Sequence, residues 1–577
     1  MSMSSLRKSP GLKLALAVVT LGGLLAPIMA RNASAQNKVP RSSAPRANTS
    51  TARKVPAQPA PAKPAPAKPA PVKRTSSTTA PKATPTAKAS TQKASAVKAS
   101  TPKVTVPKAT APKAMPKPVA TVRPVATTTP RLKSSAPLYG RTVLPGGATL
   151  VTRLDRSAPR VAISLLVRAG AVDETPDEAG WRRLLTEAML RASLPEGGTG
   201  AVTGLQMQKL AEEAGGRIGA TVSDDVIEFW ATGDSRNAST LLDLLLSVVQ
   251  HPRLSDADVR AARSRTVERI AGERDDVAVM ATAALRGQLY RDTRGDLIAY
   301  GLPSTGTTES LGNLNRERLL ELYRRYFVPS RFTVAGAGDV NVTALRTRLE
   351  RLPAVVETPV PPLQPSLFAL PAKTDPALIV RQVPTRDAWV FISYRVAPST
   401  SADAPALRVL AAALGEEPNA RLQRRVSAQN NRLGFGGVTG PGAVAAASIT
   451  PRRYGGELVM FAQTSASNVD AAKDALLDEV RKLRETSLSA TELLRAKNFA
   501  RGSWAVDREG LRERAFQAGL AAAVNPVPAL ARGTASMAVA NDWDWPAQIA
   551  AVTAADVRRV AQKYLNAYAV ALIMPED

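Results

Sequence analysis

Apolar and polar residues follow two different periods from about Leu138 to the C-terminus. Short, mostly apolar runs are typical of buried strands, and apolar residues three and four positions apart predict helices. Residues 143–155 predict a hairpin with Gly146-Gly147 at its turn. Further strands are predicted at 160–170, 218–222, 227–233 and 331–338, and helices at 177–192, 203–214, 237–250, 255–272, 277–290 and 314–326. This irregular order favours an antiparallel-rich α+β fold over a doubly wound sheet.

The folded region also repeats itself. Arg168 in VAISLLVRAG matches Arg395 in WVFISYRVAP, 227 positions later. LSDADVRAAR matches LSATELLRAK at an offset of 234, and LLELYRRYF matches DVRRVAQKYL at an offset of 238. A nearly constant offset indicates two homologous halves. We predict a first half at 138–356, a Pro-rich linker at 357–376 and a second half at 377–577.

Residues 1–35 have the features of a secretory signal peptide. Three basic residues precede an apolar run at 14–29, and an A-x-A cleavage site follows at 33–35. The run is short for a membrane-spanning helix, although an uncleaved anchor is the alternative interpretation. The sequence therefore predicts export to the periplasm or the cell envelope.

Positive charge is concentrated near the N-terminus. The chain has a formal net charge of +29, and residues 1–154 contain 26 Lys or Arg but no Asp or Glu. Residues 36–137 are rich in Ala, Pro and Lys and lack aromatic residues, so we predict a disordered tether. It is either a solvated spacer or a segment attracted to an anionic envelope polymer or membrane surface. A specific nucleic-acid partner is not expected, because the tether has no aromatic residue for base stacking.

The chain contains no Cys and a single His, His251. The lack of Cys excludes disulfides, thiol nucleophiles and Cys-ligated metals. A catalytic zinc site usually takes two or three imidazoles, and a Ser-His-Asp triad needs one, so most hydrolase chemistry is disfavoured. We interpret His251 as a loop residue.

Three segments, in this order, resemble a known family. They are LPGGATLVTRLDRSAPRVAISLLVRAGAVDETPDEAG, then GTTESLGNL with the helix and strand that follow it, and LGEEPNARLQRRVSAQNNRLGF in the second half. Together they resemble the insulinase/pitrilysin-like metallopeptidases (inverzincins), in the bacterial processing-peptidase-like type. The resemblance covers residues 140–577. It implies two α+β halves related by a pseudo-twofold axis, in chains that pair into a clamshell around a peptide-binding chamber.

Active members of that family carry H-x-x-E-H on the next helix, where two His hold Zn²⁺ and the Glu is a general base. Here the helix reads GWRRLLTEAMLRAS. The resemblance assigns the two His positions to Arg183 and Glu187, and the base position to Thr186. The resemblance assigns the family's third ligand, a Glu on a later helix, to Arg269. With the register shifted by one residue, that position is Glu268. A guanidinium has no lone pair for a metal, so no zinc, no other cofactor and no catalytic residue are expected.

Positive charge at this helix opposes binding of a divalent cation. Glu187 and Glu268 would lie beside Arg182, Arg183 and Arg269. We hypothesise that fixed guanidinium charge has replaced the metal, with Glu187 paired to Arg183 or Arg269. The alternative is that these residues are solvated charges on helix surfaces.

Two residues of the second half are candidates for substrate binding. In active relatives, the Arg of an Arg-Leu pair and a nearby Tyr help to position the substrate. Arg421 matches the Arg, and the Tyr position falls at Phe435. The Gly-rich segment 434–443 lacks the features of a P-loop and is interpreted as a turn.

The sequence therefore predicts a secreted, non-catalytic insulinase-type homologue. We expect it to bind peptide or to serve as a partner subunit of an active zinc peptidase, in a homo- or hetero-oligomer with another insulinase-like chain. A cell-envelope tethering protein that acts through its basic tail is the alternative from another class. A residual metalloendopeptidase is the third possibility, and the residues at the motif oppose it.

Overall fold

The computed structural model describes residues 139–576 except 192–193, 196–200, 203, 253, 292–294, 354, 356–376, 428–444 and 526–544. The predicted signal peptide, tether and linker lie outside the described residues. No helix in the described ranges is long and apolar enough to cross a membrane.

The first half contains a six-stranded sheet. Its strands are β1 (Tyr139–Val143), β2 (Thr149–Leu154), β3 (Arg160–Val167), β6 (Arg217–Val222), β7 (Ile227–Asp234) and β8 (Phe332–Gly338), and a separate small sheet pairs β4 (Leu194–Pro195) with β5 (Ala201–Val202). The order in the large sheet is β1-β2-β8-β3-β7-β6, and only β2 and β8 are parallel neighbours. The predicted hairpin is confirmed, since β1 pairs with β2 and Gly147 in their turn has a φ of 89°.

Eight helices of the described residues belong to the first half of the chain. They are α1 (Trp181–Arg191), α2 (Gly204–Glu213), α3 (Ala238–Gln250), α4 (Asp256–Glu273), α5 (Val277–Leu289), α6 (Thr308–Asn313), α7 (Arg316–Tyr326) and α8 (Val342–Glu350). The helix predicted at 314–326 is α7, which begins at Arg316, and the short helix α6 just before it was not predicted. Asn315 separates them, because its side chain accepts a hydrogen bond from the backbone N–H of Arg318 (2.9 Å) and so caps the start of α7.

The second half contains a five-stranded sheet. Its strands are β9 (Ala377–Val383), β10 (Ala388–Val396), β11 (Ala445–Thr450), β12 (Gly456–Thr464) and β13 (Tyr568–Pro575). Its helices are α9 (Ala404–Ala411), which continues as a π-helical turn (Ala412–Glu416), α10 (Arg421–Ser427), α11 (Val469–Glu485), α12 (Ala490–Val506), α13 (Leu511–Val524), α14 (Trp545–Ala551) and α15 (Ala554–Tyr564).

The two sheets share one topology. The order β9-β13-β10-β12-β11 repeats the order β2-β8-β3-β7-β6, and β9 and β13 are parallel as β2 and β8 are. The three repeated sequence segments lie on β3 and β10, on α4 and α12, and on α7-β8 and α15-β13. The predicted fold class, two homologous α+β halves with antiparallel-rich sheets, is confirmed.

One helix of each half packs on the sheet of the other half. Helix α5 packs on β13, β10 and β9, and α13 packs on β3, β8 and β2. Small residues allow the close approach of α13, because a Cβ at Gly519 would lie 2.4 Å from Leu166 Cδ1 and 3.0 Å from Ala335 Cβ. The exchange was not predicted from the sequence, and it makes the two halves one folding unit.

A buried carboxylate on each sheet meets an arginine from the exchanged helix. In the first sheet, Glu228 accepts hydrogen bonds from Ser164 Oγ (2.7 Å) and from Arg512 Nη2 on α13 (2.7 Å). In the second sheet, Glu457 accepts from Ser393 Oγ (2.9 Å) and from Arg286 Nε on α5 (2.9 Å). Ser and Glu are 64 residues apart in both halves.

The two carboxylates differ in their pKa values. Burial raises the pKa of Glu228, and Arg512 offsets the burial only in part. Burial acts in the same direction on Glu457, but Arg286 and Arg452 together outweigh it and hold its pKa below the ordinary value. The number of guanidinium groups therefore decides the direction of the shift.

Two hairpin turns, one from each sheet, meet between the halves. Asp224 accepts a hydrogen bond from Arg452 Nε (2.5 Å), and the Asp225 carboxylate accepts one from the backbone N–H of Arg453 (2.9 Å). Burial disfavours the charged form of Asp224, yet Arg452 and Arg286 hold its pKa well below the usual range. Arg452 thus links the turn of the first half to the sheet of the second.

We predict that Arg452→Met lowers the free energy of unfolding by about 3 kcal/mol, the lower end of the range for a broken buried pair, because Glu457 and the partly buried Asp224 then keep Arg286 as their remaining cation. The control Arg346→Met removes the exposed partner of Glu350 and should cost at most about 0.5 kcal/mol. Urea denaturation of both variants at pH 7 provides the measurement.

The same variant should change the pH dependence of stability. Both carboxylates have lowered pKa values in the folded state, so their stabilising contribution is present above about pH 4 and is lost as the pH falls further. Arg452→Met should therefore lose less stability on acidification than the wild type. Equal stability of variant and wild type at pH 7 would contradict the assigned role of Arg452.

Candidate functional site

Helix α1, which carries the candidate site, begins at a close backbone crossing. Gly180 has a φ of 86°, and a Cβ there would lie 2.7 Å from the backbone nitrogen of Gly306. Arg182 Nε donates to Glu174 Oε1 (3.0 Å), and both side chains are 1% exposed. Arg182 also donates to the backbone carbonyl of Ser223 (2.5 Å), which ties the start of α1 to the hairpin turn of the first sheet.

The charge of Arg182 is therefore neutralised within the fold. Burial raises the pKa of Glu174, and the attraction of Arg182 opposes this shift without reversing it. Arg182 is a structural residue and does not contribute net charge to the motif face, contrary to the expectation from the sequence.

Arg183 and Thr186 lie one turn apart on α1. The Nε atom of Arg183 and the Oγ1 atom of Thr186 are buried and have no hydrogen-bond partner among the described residues. Thr186 is 5% exposed. Burial lowers the pKa of Arg183 and the nearby guanidinium of Arg269 lowers it further, whereas Glu273 raises it. Arginine nevertheless stays protonated near neutral pH.

Glu187 pairs with other arginines than those predicted. Arg265 Nη1 on α4 lies 2.8 Å from Glu187 Oε1, and Arg191 Nε lies 3.9 Å from it. The prediction of Arg183 or Arg269 as the partner of Glu187 is therefore wrong. A guanidinium from the facing helix does meet Glu187, because α1 packs against α4 and Arg265 is one turn from Arg269 on that helix.

The remaining motif candidates lie at the surface. Arg269 and Glu268 on α4 are both exposed, and Arg269 is near enough to lower the pKa of Arg183. His251 is exposed at the C-terminal end of α3, where its backbone N–H donates to Ser247 O (3.2 Å).

These residues do not fit the zinc ion that the resemblance implies for active relatives. Zinc is held by imidazole, thiolate or carboxylate donors, and this face of α1 provides one carboxylate, Glu187, which two guanidiniums already engage. Within the described ranges, no group of three or more His, Cys, Asp or Glu side chains is placed to hold a metal ion. The site instead provides fixed positive charge and hydrogen-bond donors.

Arg421 lies at the start of α10 and is engaged within the fold. Its Nε and Nη2 atoms donate to the two oxygens of Glu492 on α12, at 2.8 and 3.2 Å, and its side chain is 12% exposed. A peptide would have to compete with Glu492 for this guanidinium. Phe435 and the Gly-rich segment 434–443 lie outside the described residues.

Comparison with protein families agrees with this architecture. The model described as "Insulinase (Peptidase family M16)" matches residues 149–298, and the model described as "Peptidase M16 inactive domain" matches residues 313–499. The chain belongs to the insulinase family of peptidases, M16, as its motifs predicted.

Relatives in this family include proteases and peptidase subunits. An uncharacterized zinc protease of Streptomyces coelicolor is 23% identical over 290 residues, which are 50% of this chain and 61% of that protein. A probable mitochondrial-processing peptidase subunit beta of Arabidopsis thaliana is 23% identical over 75% of this chain and 77% of its own length. The subunit alpha of the Bos taurus enzyme is 29% identical over 22% of this chain and 24% of its own.

Solved structures show the same fold. A protease from Helicobacter pylori superimposes with a TM-score of 0.64 at 18% identity, covering 76% of this chain and 100% of that one. A peptidase M16 inactive domain from Pseudomonas fluorescens gives a TM-score of 0.63 at 16% identity, over 76% of this chain and 98% of its own.

Proposed function

We propose that this chain is an exported, non-catalytic insulinase-type subunit that binds peptide and pairs with an active zinc peptidase. The observation that supports the proposal is the sequence of the motif helix, in which the resemblance assigns Arg183 and Glu187 to the two His ligand positions and Thr186 to the base position. A guanidinium, a hydroxyl and an arginine-paired carboxylate supply neither the ligand set nor the base of the family's reaction.

Partnership with a second chain is supported by relatives that are themselves subunits. The Arabidopsis and bovine relatives are named as the beta and alpha subunits of mitochondrial-processing peptidase. An insulinase-like chain with an intact H-x-x-E-H motif, encoded beside this one, would be the natural partner. A partner could also be a second copy of this chain.

We predict that the purified full chain neither binds stoichiometric zinc nor cleaves unfolded peptides, because the metal-ligand and base positions are replaced. Metal analysis after dialysis and a fluorogenic peptide assay test this, with an active M16 peptidase as the positive control. About one zinc per chain together with chelator-sensitive cleavage would overturn the prediction.

We also predict that the protein is not monomeric in native extract at micromolar concentration. A specific, stable interface should bury about 1,200–2,000 Å² in total, enough for the complex to persist during purification. Affinity purification from the native envelope, followed by analytical ultracentrifugation and identification of the associated chains, provides the measurement. A strictly monomeric species, both in extract and after purification, would argue against the subunit role.

The alternative, a tethering protein, rests on the 20 basic residues of segment 36–137. Deleting this segment should abolish envelope retention if electrostatic attraction mediates it, and molar salt should do the same, since the Debye length is about 8 Å at physiological ionic strength. Retention that survives both treatments would assign envelope binding to the folded region.

A further inference from the structure

A cavity of about 880 Å³ lies mainly among elements of the second half. It is lined by the start of α9, the end of α12, the helices α13 and α14, and the turn between β11 and β12. Its volume is within the usual range of ligand pockets, about 300–1,000 Å³. No described residue of the motif helix α1 lines it, so it is separate from the candidate site.

Two tryptophans and several aliphatic side chains form the apolar part of the lining. Trp504 lies on α12 and Trp545 begins α14, and both are half-buried. Leu520, Val524 and Val552 add aliphatic surface. An indole ring presents a broad, rigid apolar face, so this lining favours a ligand with flat or ring-shaped apolar groups.

The lining also contains amide groups without partners. The side chains of Gln517 on α13 and Gln548 on α14 make no hydrogen bond to a described residue. Both residues are half-buried, so a ligand in the cavity can reach them. A glutamine amide has two N–H donors. A polyproline II segment has no internal hydrogen bonds, and its carbonyls are free to accept from such donors.

One charge of the lining is not engaged within the described part of the protein. Of the six charged lining residues described, Asp507 alone has neither a hydrogen bond from its side chain nor an ion pair with a described residue. Burial raises the pKa of Asp507, and the attraction of Arg408 and Arg508 offsets this only in part. Arg408 is already paired with Glu416. The guanidinium of Arg508 lies 4.5 Å from the centroid of the Trp504 ring.

The position of Asp507 also favours a cation. It caps the C-terminal end of α12, where the helix carries partial negative charge. A ligand that brings one ammonium group to this end of the cavity therefore meets a carboxylate and the negative end of a helix.

We infer that this cavity binds a proline-rich peptide segment that carries a lysine, supplied by another polypeptide. Proline rings pack on the two indoles, as in the aromatic-lined grooves that recognise polyproline II helices. Carbonyls of the segment accept hydrogen bonds from Gln517 and Gln548, and the lysine ammonium pairs with Asp507. This inference rests on the proposed function, because it names the class of peptide that the chain recognises.

Three fluorescently labelled peptides test the inference. The first is PAQPAPAKPAPAKPAPVK, a sequence that stands at 56–73 of this chain and combines proline with lysine. The second has alanine in place of every proline, and the third has glutamine in place of every lysine. Fluorescence anisotropy with the purified full chain, at physiological salt, measures the affinity for each peptide.

We expect the first peptide to bind at least tenfold more tightly than the alanine peptide, which keeps its charge and loses its preference for polyproline II. Asp507→Asn should weaken the first peptide severalfold and leave the glutamine peptide unchanged, so that the difference between these two peptides disappears. Asp474→Asn is the matched control, since Asp474 is an exposed carboxylate on α11 outside the cavity lining and should leave all affinities unchanged.

Gln517→Met separates recognition from folding. Methionine has a similar length and volume and lacks the amide. Because the Gln517 side chain has no hydrogen-bond partner among the described residues, the midpoint of urea unfolding should stay unchanged. The affinity for the first peptide should nevertheless fall severalfold. A side chain that only packs would not lower the affinity at constant stability.

The source of the peptide is tested with a shortened chain, because residues 36–137 of this chain are themselves rich in proline and lysine. Equal affinity of the first peptide for the full chain and for a chain without 36–137 supports another polypeptide as the source. Binding that is at least tenfold tighter to the shortened chain would overturn that assignment, since the chain's own segment would then compete.

The outcomes separate this inference from the proposed function. Equal binding of all three peptides, unchanged by Asp507→Asn and Gln517→Met, would overturn the proline-specific cavity and leave peptide binding intact. Failure of every peptide to bind, to the chain and to its purified complex, would overturn both.

Discussion

The rest of the structure depends on two helices that each pack on the sheet of the other half. Each helix is fixed there by an arginine that pairs with a buried carboxylate of that sheet. Glu228 and Glu457 are each held by a serine of their own sheet and by an arginine from a helix of the other half. A buried carboxylate that loses its guanidinium partner strongly destabilises the folded state. Detaching either helix from its sheet therefore costs a large amount of free energy. The halves therefore fold and hold together as one unit.

This arrangement also positions the motif helix. The hairpin turn that meets Arg452 supplies the carbonyl of Ser223 to Arg182, and Arg182 is paired with Glu174. The start of α1 is thus anchored to the contact between the halves. Arg182 is thus engaged within the fold, and the half-buried Arg183 and the buried Thr186 follow it on the turn of α1 to which the family resemblance assigns the motif.

Much of the candidate site could be predicted from the sequence. The motif positions Arg183, Thr186 and Glu187 follow from local order along one helix. Which arginine pairs with Glu187 could not be predicted, because Arg265 and Arg269 lie one turn apart on a distant helix and the axial offset of α1 against α4 selects between them. The role of Arg182 was missed for the same reason, since its partners lie in other elements.

The sequence by itself determined the α+β class, the repeat of two halves and the hairpin at Gly147, and through the family resemblance it predicts that the zinc ligands are replaced. These properties depend on hydrophobic period, turn chemistry and residue identity, which act over a few residues. Only the tertiary structure decided the exchange of α5 and α13, whose arginines reach carboxylates 171 and 284 residues away in the chain. Pairing across such distances is set by how the sheets and helices pack together, and no local pattern encodes it.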